Sequence, residues 1–199
     1  MGVTEAAAAA LDPVSLFRAW MDEAVAGEPN DPNAVALATA TPDGAPSVRM
    51  VLLKALDARG FAFYTNSESR KGSELAANPI AAMCFHWKSL RRQVRVEGPV
   101  TELPAAEADA YFHSRSLGSQ LGAAVSRQSQ ELGSREVLEE MVREYAAEHE
   151  GEIPRPERWK GYALRPERME FWINGENRLH DRFLFVRGDG GWVKSRLFP

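Results

Sequence analysis

Arg178, His180 and Arg182 recur at every second position in ENRLHDRFLF, residues 176–185. Read as a strand with a two-residue period, this segment sets two guanidiniums and an imidazole on one face, with Leu179, Asp181 and Phe183 on the other. One reading is a solvated strand face, the ordinary place for an isolated Arg or His. The other is a cationic wall for an anionic, planar ligand, because guanidinium groups bind phosphate through paired hydrogen bonds and stack on flat rings. Three further segments bear on the choice. Arg70 and Lys71 begin a helix capped by Ser69, where free backbone N–H groups and the positive dipole end favour an anion and where cations are otherwise out of place. Tyr111, Arg115 and Ser119 stand at i, i+4 and i+8 and share a face if one helix runs through them; residues 116–118 serve equally well as a break between two helices. In RMVLLK, residues 49–54, the apolar run between Arg49 and Lys54 predicts a strand buried on both faces with charged, solvated ends.

Protein-borne catalysis has little support. Cys84 and His86 share a face of IAAMCFHW, but burial in so apolar a run raises a thiol pKa and makes it inert. The histidines show no HExxH or paired-cysteine spacing, so no metal site is expected, and no serine sits in a nucleophile elbow. Any reaction here needs an organic cofactor. No GxGxxG follows a strand and no GxxxxGK[ST] is present, which removes a Rossmann or P-loop site.

The elements that must position these residues are legible. Asp12 and Pro13 start an amphipathic helix with a Leu16, Phe17, Trp20, Met21 stripe, and Gly27 ends it. AVALATAT and SVRMVLLKAL form a hairpin across PDGAP, and FAFYTN adds a strand. Ser69 opens a short helix that Asn78 and Pro79 close; IAAMCFHW and RRQVRVEGPVTEL are strands. Residues 104–149 are helical in three pieces, and the remainder is strands with a DGG turn between the last two. Six to eight short strands with an N-terminal helix and a helical insertion predict a mainly β fold, an antiparallel barrel closed or nearly so. One domain over residues 1–199 is expected, with residues 1–11 a flexible lead-in.

With 199 residues and 44% hydrophobic content the chain can bury a proper core, and a net charge of -4 argues against a duplex nucleic-acid binder. The single cysteine allows no intrachain disulfide, no apolar run reaches the roughly 20 residues that span a bilayer, and MGVTEAAAAALDP lacks the basic start of a signal peptide. A cytoplasmic location is expected.

Five motifs in order, RMVLLK with FYTNSESRK, RRQVRVEG, YFHSRSLGSQLGAAVSRQS, MEFW with ENRLHDR, and a terminal RLFP, closely resemble the pyridoxine (pyridoxamine) 5'-phosphate oxidases from about residue 14 onward. The resemblance implies an FMN-binding split barrel of antiparallel, Greek-key-like strands, in a homodimer with FMN at the subunit interface. It also implies oxidation of pyridoxine or pyridoxamine 5'-phosphate by dioxygen to pyridoxal 5'-phosphate, with hydrogen peroxide, and ammonia from the amine. By matching positions, Arg49, Met50, Val51, Leu52 and Lys54 contribute to the flavin site, and Arg70 and Lys71 hold its phosphate. Tyr64, Thr65, Gln93, Gln128, Ser129, Trp172 and Arg182 complete the flavin shell. Lys54, Tyr111, Arg115 and Ser119 hold the substrate phosphate, while Arg178 and His180 act over the pyridine ring and its 3-oxygen. A phenazine-pathway oxidase of the same fold and a non-catalytic flavin-binding split-barrel protein are the alternatives. The segment before Leu11 departs from members that carry a basic, tyrosine-containing stretch there.

Overall fold

The computed structural model describes residues 2–149 and 151–199. Asp12 accepts hydrogen bonds from the backbone N–H groups of Val14 at 3.2 Å and Ser15 at 2.9 Å, starting helix α2 (Pro13–Gly27). The helix buries Leu16, Phe17, Trp20 and Ala24 in the core formed with the strands. Phe17 meets the rings of Phe61 and Phe85 at 4.9 Å, and Trp20 meets Phe171 edge-on at 5.1 Å. Each such aromatic contributes roughly 1.5–3 kcal/mol through removal from water.

The main sheet contains β1 (Ala34–Ala40), β2 (Pro46–Leu52), β5 (Ile80–Trp87), β6 (Arg92–Glu102), β8 (Arg168–Ile173), β9 (Asp181–Gly188) and β10 (Gly191–Leu197). Their spatial order is β10-β9-β8-β6-β5-β1-β2, with every pairing antiparallel. β3 (Ala55–Asp57), β4 (Gly60–Asn66) and β7 (Trp159–Leu164) form the other wall. β6 belongs to both, pairing with β8 through residues 92–97 and with β7 through residues 100–102. Gly98 sits at this handover, where a Cβ would lie 2.0 Å from the Arg165 carbonyl oxygen, so only glycine fits the corner. Among the described residues the result is a mainly β half-barrel with six α-helices.

Ten strands replace the expected six to eight. Two expected strands each divide: residues 55–57 leave β2 to pair with β4, and β7 and β8 part at the bend that feeds the two halves of β6. β2 is not buried on both faces either, because among the described residues it is an edge strand paired with β1 alone. Val48, Met50 and Leu52 therefore form an exposed apolar stripe. ENRLHDRFLF is not one strand: residues 176–178 make a 3-10 turn and β9 begins at Asp181. Two-residue periodicity held for the residue types but not for the backbone, since Asn177 and Arg178 adopt left-handed φ of 52° and 65°.

Val3–Ala9 form helix α1, with Ala7 buried. Lys194 Nζ donates to the carbonyls of Ala7 at 2.7 Å and Ala10 at 3.1 Å, closing the helix against β10. No helix among the described residues is long and apolar enough to cross a membrane.

Candidate active site

Helix α3 (Arg70–Ala77) begins as its sequence predicts, with Ser69 Oγ accepting from the Gly72 N–H. Its first turn faces a cleft of about 1100 Å³, ample for a cofactor and a small substrate together. The Lys71 side chain is buried, and its Nζ donates to Thr65 Oγ1 at 3.0 Å, Ser69 Oγ at 3.1 Å and Gln128 Oε1 at 2.8 Å. All three acceptors are neutral. Burial, and after it the nearby Arg49 charge, bring the Lys71 ammonium down to about 8.

Arg49 and Arg70 are held differently, by one buried carboxylate. Glu74 Oε1 accepts from Arg70 Nε at 2.9 Å, while Oε2 accepts from Ser47 at 2.5 Å and from Thr39 and faces Arg49 Nη2 at 3.6 Å. Burial alone would raise the Glu74 carboxyl, but the hydrogen bonds from Ser47, Thr39 and Arg70 outweigh it and hold it at about 2. The cation in the first turn of α3 is thus partly answered from within, one turn along the same helix. Arg49 Nη1 also donates to Thr39 Oγ1 at 2.6 Å and to the Leu37 carbonyl at 3.0 Å.

Across the cleft, α4 (Ala105–His113) and α5 (Leu117–Val125) are separate helices, which resolves the reading of residues 116–118 in favour of a break. Gln120 closes the break, donating to the Arg115 carbonyl at 2.7 Å. Tyr111, Arg115 and Ser119 nevertheless line the cleft together, joined by Lys54 from the chain leaving β2. Arg115 Nη1 is buried without a hydrogen-bond partner among the described residues, and burial lowers the guanidinium pKa. A buried N–H without an acceptor and a buried ammonium without a counter-ion are costly unless an anion completes them. The donors therefore fit two phosphate groups, one at Arg70–Lys71 and one at Lys54–Arg115.

Of the residues singled out from sequence, Arg49, Met50, Val51, Leu52, Lys54, Tyr64, Thr65, Arg70, Lys71, Tyr111, Arg115, Ser119, Gln128 and Ser129 all line this cleft. The remaining five do not. Gln93, Trp172 and Arg182 lie in one row across β6, β8 and β9, paired in register as Gln93 with Trp172 and Trp172 with Arg182. Arg182 Nε donates to the buried Glu170 at 2.8 Å and its Nη1 to the Phe198 carbonyl at 2.9 Å; Arg95 holds the other Glu170 oxygen. His180 extends the patch, its ring 4.6 Å from Trp172, and Arg178 stands two residues before it in the 3-10 turn. The Gly175 N–H donates to His180 Nδ1 at 3.1 Å, which leaves Nε2 as the donor of a neutral ring. The turn admits no side chain at position 175, where a Cβ would lie 1.9 Å from the Leu179 carbonyl oxygen. Glu74, Glu170, Gln120 and Trp159 escaped the sequence reading; only Glu74, four residues after Arg70, left a local signal.

Residues 21–149 match the family model described as pyridoxamine 5'-phosphate oxidase, and residues 159–199 match the pyridoxine 5'-phosphate oxidase C-terminal dimerisation region. The chain is 57% identical over 189 residues to the pyridoxine/pyridoxamine 5'-phosphate oxidase of Gluconobacter oxydans (strain 621H), covering 94% of each chain. It is 57% identical over 191 residues to the enzyme of that name from Brucella canis, again covering 94% of each. Among solved structures it is similar to PhzG from Burkholderia lata 383, in complex with tetrahydrophenazine-1-carboxylic acid, with a TM-score of 0.90 at 35% identity over 96% of this chain and 94% of that one. A pyridoxamine 5'-phosphate oxidase-related, FMN-binding protein from Nostoc punctiforme shares the fold, with a TM-score of 0.74 at 19% identity, covering 96% of this chain and 100% of that chain.

Proposed function

Because the chain belongs to the pyridoxamine 5'-phosphate oxidase family, we propose that it oxidises pyridoxine and pyridoxamine 5'-phosphates to pyridoxal 5'-phosphate, with FMN as cofactor and dioxygen as oxidant. The alcohol and dioxygen give the aldehyde and hydrogen peroxide; the amine additionally consumes water and releases ammonia. The observation that carries this reading is the opening of two cationic groups, Arg70 with Lys71 and Lys54 with Arg115, onto one cleft. Two phosphate monoesters bring roughly -1.5 to -2 charges each, a load that a chain of net charge -4 must meet locally.

FMN, when bound, supplies a hydride acceptor that dioxygen regenerates. The chain's own part is binding and orientation. Arg70 and Lys71 would hold the FMN phosphate, with Arg49, Thr65, Gln128 and Ser129 around them. Lys54, Tyr111, Arg115 and Ser119 would hold the substrate phosphate and so set the depth at which the pyridine ring enters. Arg178 would lie over that ring and His180 Nε2–H would donate to its 3-oxygen, fixing the C4' carbon for hydride loss.

Gln93, Trp172, Arg178, His180 and Arg182 meet the cleft only if a second subunit delivers them. Each protomer of a homodimer then supplies a cleft to one site and the five-residue patch to the other. The exposed Val48, Met50, Leu52 stripe, which also lines the cleft, supports this arrangement, since it is the apolar edge a partner would cover. Co-expression of Arg115→Ala and Arg178→Ala chains tests it. Neither homodimer has an intact site, but a hybrid has one, so random assortment restores roughly a quarter of wild-type activity below saturation. No recovery would place both residues in a site built by one chain.

The likeness to PhzG, bound to a tricyclic carboxylic acid, favours a second reading as an oxidase of such a substrate. It leaves the cations at Lys54 and Arg115 without a phosphate to bind, and oxidation of the phosphorylated alcohol separates the two.

A further inference from the structure

Building on the substrate-phosphate role of Lys54, Tyr111, Arg115 and Ser119, we infer that Trp159 is a positioning residue that sets affinity for phosphorylated substrates by holding Arg115 with its aromatic face. Four other arginines of the cleft and the patch are held by acids: Arg49 and Arg70 by Glu74, Arg95 and Arg182 by Glu170. Arg115 is held by rings. Its guanidinium carbon lies 5.1 Å from the Trp159 ring and 5.9 Å from that of Phe112. Lys54 is treated alike, with Nζ 5.6 Å from the Tyr111 ring.

The difference has a chemical consequence. A carboxylate that orients an arginine also neutralises it and competes with an incoming dianion. A ring orients the cation through its quadrupole and carries no net charge, so the attraction for phosphate stays intact. Trp159 is itself fixed. Its ring lies near-parallel to Tyr64 at 5.2 Å and to Tyr111 at 5.9 Å, and Tyr64 and Tyr111 stack at 4.3 Å. Phe112 meets it edge-on at 5.2 Å, and Arg155 Nη1 donates to its carbonyl at 2.6 Å. The unpartnered Nη1 of Arg115 is the donor this platform presents.

The test compares Trp159→Met, which fills space without a ring, with Trp159→Phe, which keeps a weaker ring, in the FMN-loaded enzyme. KM and kcat are measured with pyridoxine 5'-phosphate and with unphosphorylated pyridoxine. The expected result is a KM rise of about tenfold for Trp159→Met and about two- to fivefold for Trp159→Phe. The rise is confined to the phosphorylated substrate, with its kcat held within about twofold. Equal rises for both substrates, an unchanged KM, or equal losses in the two variants would overturn the inference and leave Trp159 as packing. Should Trp159→Met fail to fold, Trp159→Phe alone decides by the same substrate contrast. A wild-type enzyme inactive on the phosphorylated alcohol and amine removes the functional reading beneath and the inference with it.

Discussion

Arg178→Ala is expected to lower kcat for pyridoxine 5'-phosphate by roughly 10²–10³-fold while leaving FMN affinity within about threefold. The turn that carries Arg178 is built to aim it. Two consecutive non-glycine residues, Asn177 and Arg178, hold left-handed backbone angles that cost of order 1–3 kcal/mol each, and such strain persists where the surroundings fix it. Here the fixing contacts are the Leu179 N–H to Glu176 carbonyl bond and the His180 N–H to Arg178 carbonyl bond, both 2.9 Å, and the approach of Leu179 to Gly175. In the proposed role this guanidinium would orient a flat ring, so its removal is expected to lose orientation more than binding. Rapid-reaction measurement of flavin reduction, beside a flavin-fluorescence titration, separates the two effects. Equal loss of both would reassign Arg178 to the cofactor.

Lys71→Met is expected to do the reverse, weakening FMN binding by roughly 10–100-fold while the FMN-free protein melts no lower than wild type. The asymmetry follows from burial: the ammonium is surrounded by neutral oxygens, so it costs the FMN-free fold stability that a bound phosphate would restore. Its pH signature has a definite sign. With the Lys71 pKa near 8 in the fold against an ordinary value of 10.5, the folded FMN-free chain binds fewer protons than the unfolded chain between those limits. This group therefore makes the FMN-free protein more stable as pH rises from about 8 to 10.5, and that contribution is lost as pH falls through 8. FMN affinity runs oppositely, falling as pH rises above about 8, because the phosphate needs the charged form. Flavin-fluorescence titrations, and melts of the FMN-free protein, across this range in wild type and Lys71→Met check the two statements; a slope that survives in the mutant would assign the titration elsewhere.

Much of this was legible in the chain because it is local. The Asp12–Pro13 start of α2, the Ser69 cap and the Asn78 close of α3, and the three-piece helical insertion all depend on residues within a turn of each other. The cleft residues were legible as motifs, and the structure gathers fourteen of them. What failed was non-local. Alternating Arg178, His180 and Arg182 looked like a strand because residue type carries no record of φ, and the left-handed pair at Asn177 and Arg178 breaks the alternation. RMVLLK looked buried because composition does not reveal that β2 lies at a sheet edge. Glu170 had no signal at all, since it meets Arg182 only through the β8–β9 register.

Oxygen uptake together with pyridoxal 5'-phosphate formation, by FMN-loaded protein given pyridoxine 5'-phosphate in air, tests the proposed function most directly. The predicted result is one aldehyde and one hydrogen peroxide per dioxygen consumed, and the same aldehyde with ammonia from the amine. A yellow protein that consumes no oxygen with either substrate, or that oxidises only a tricyclic carboxylic acid, would contradict it.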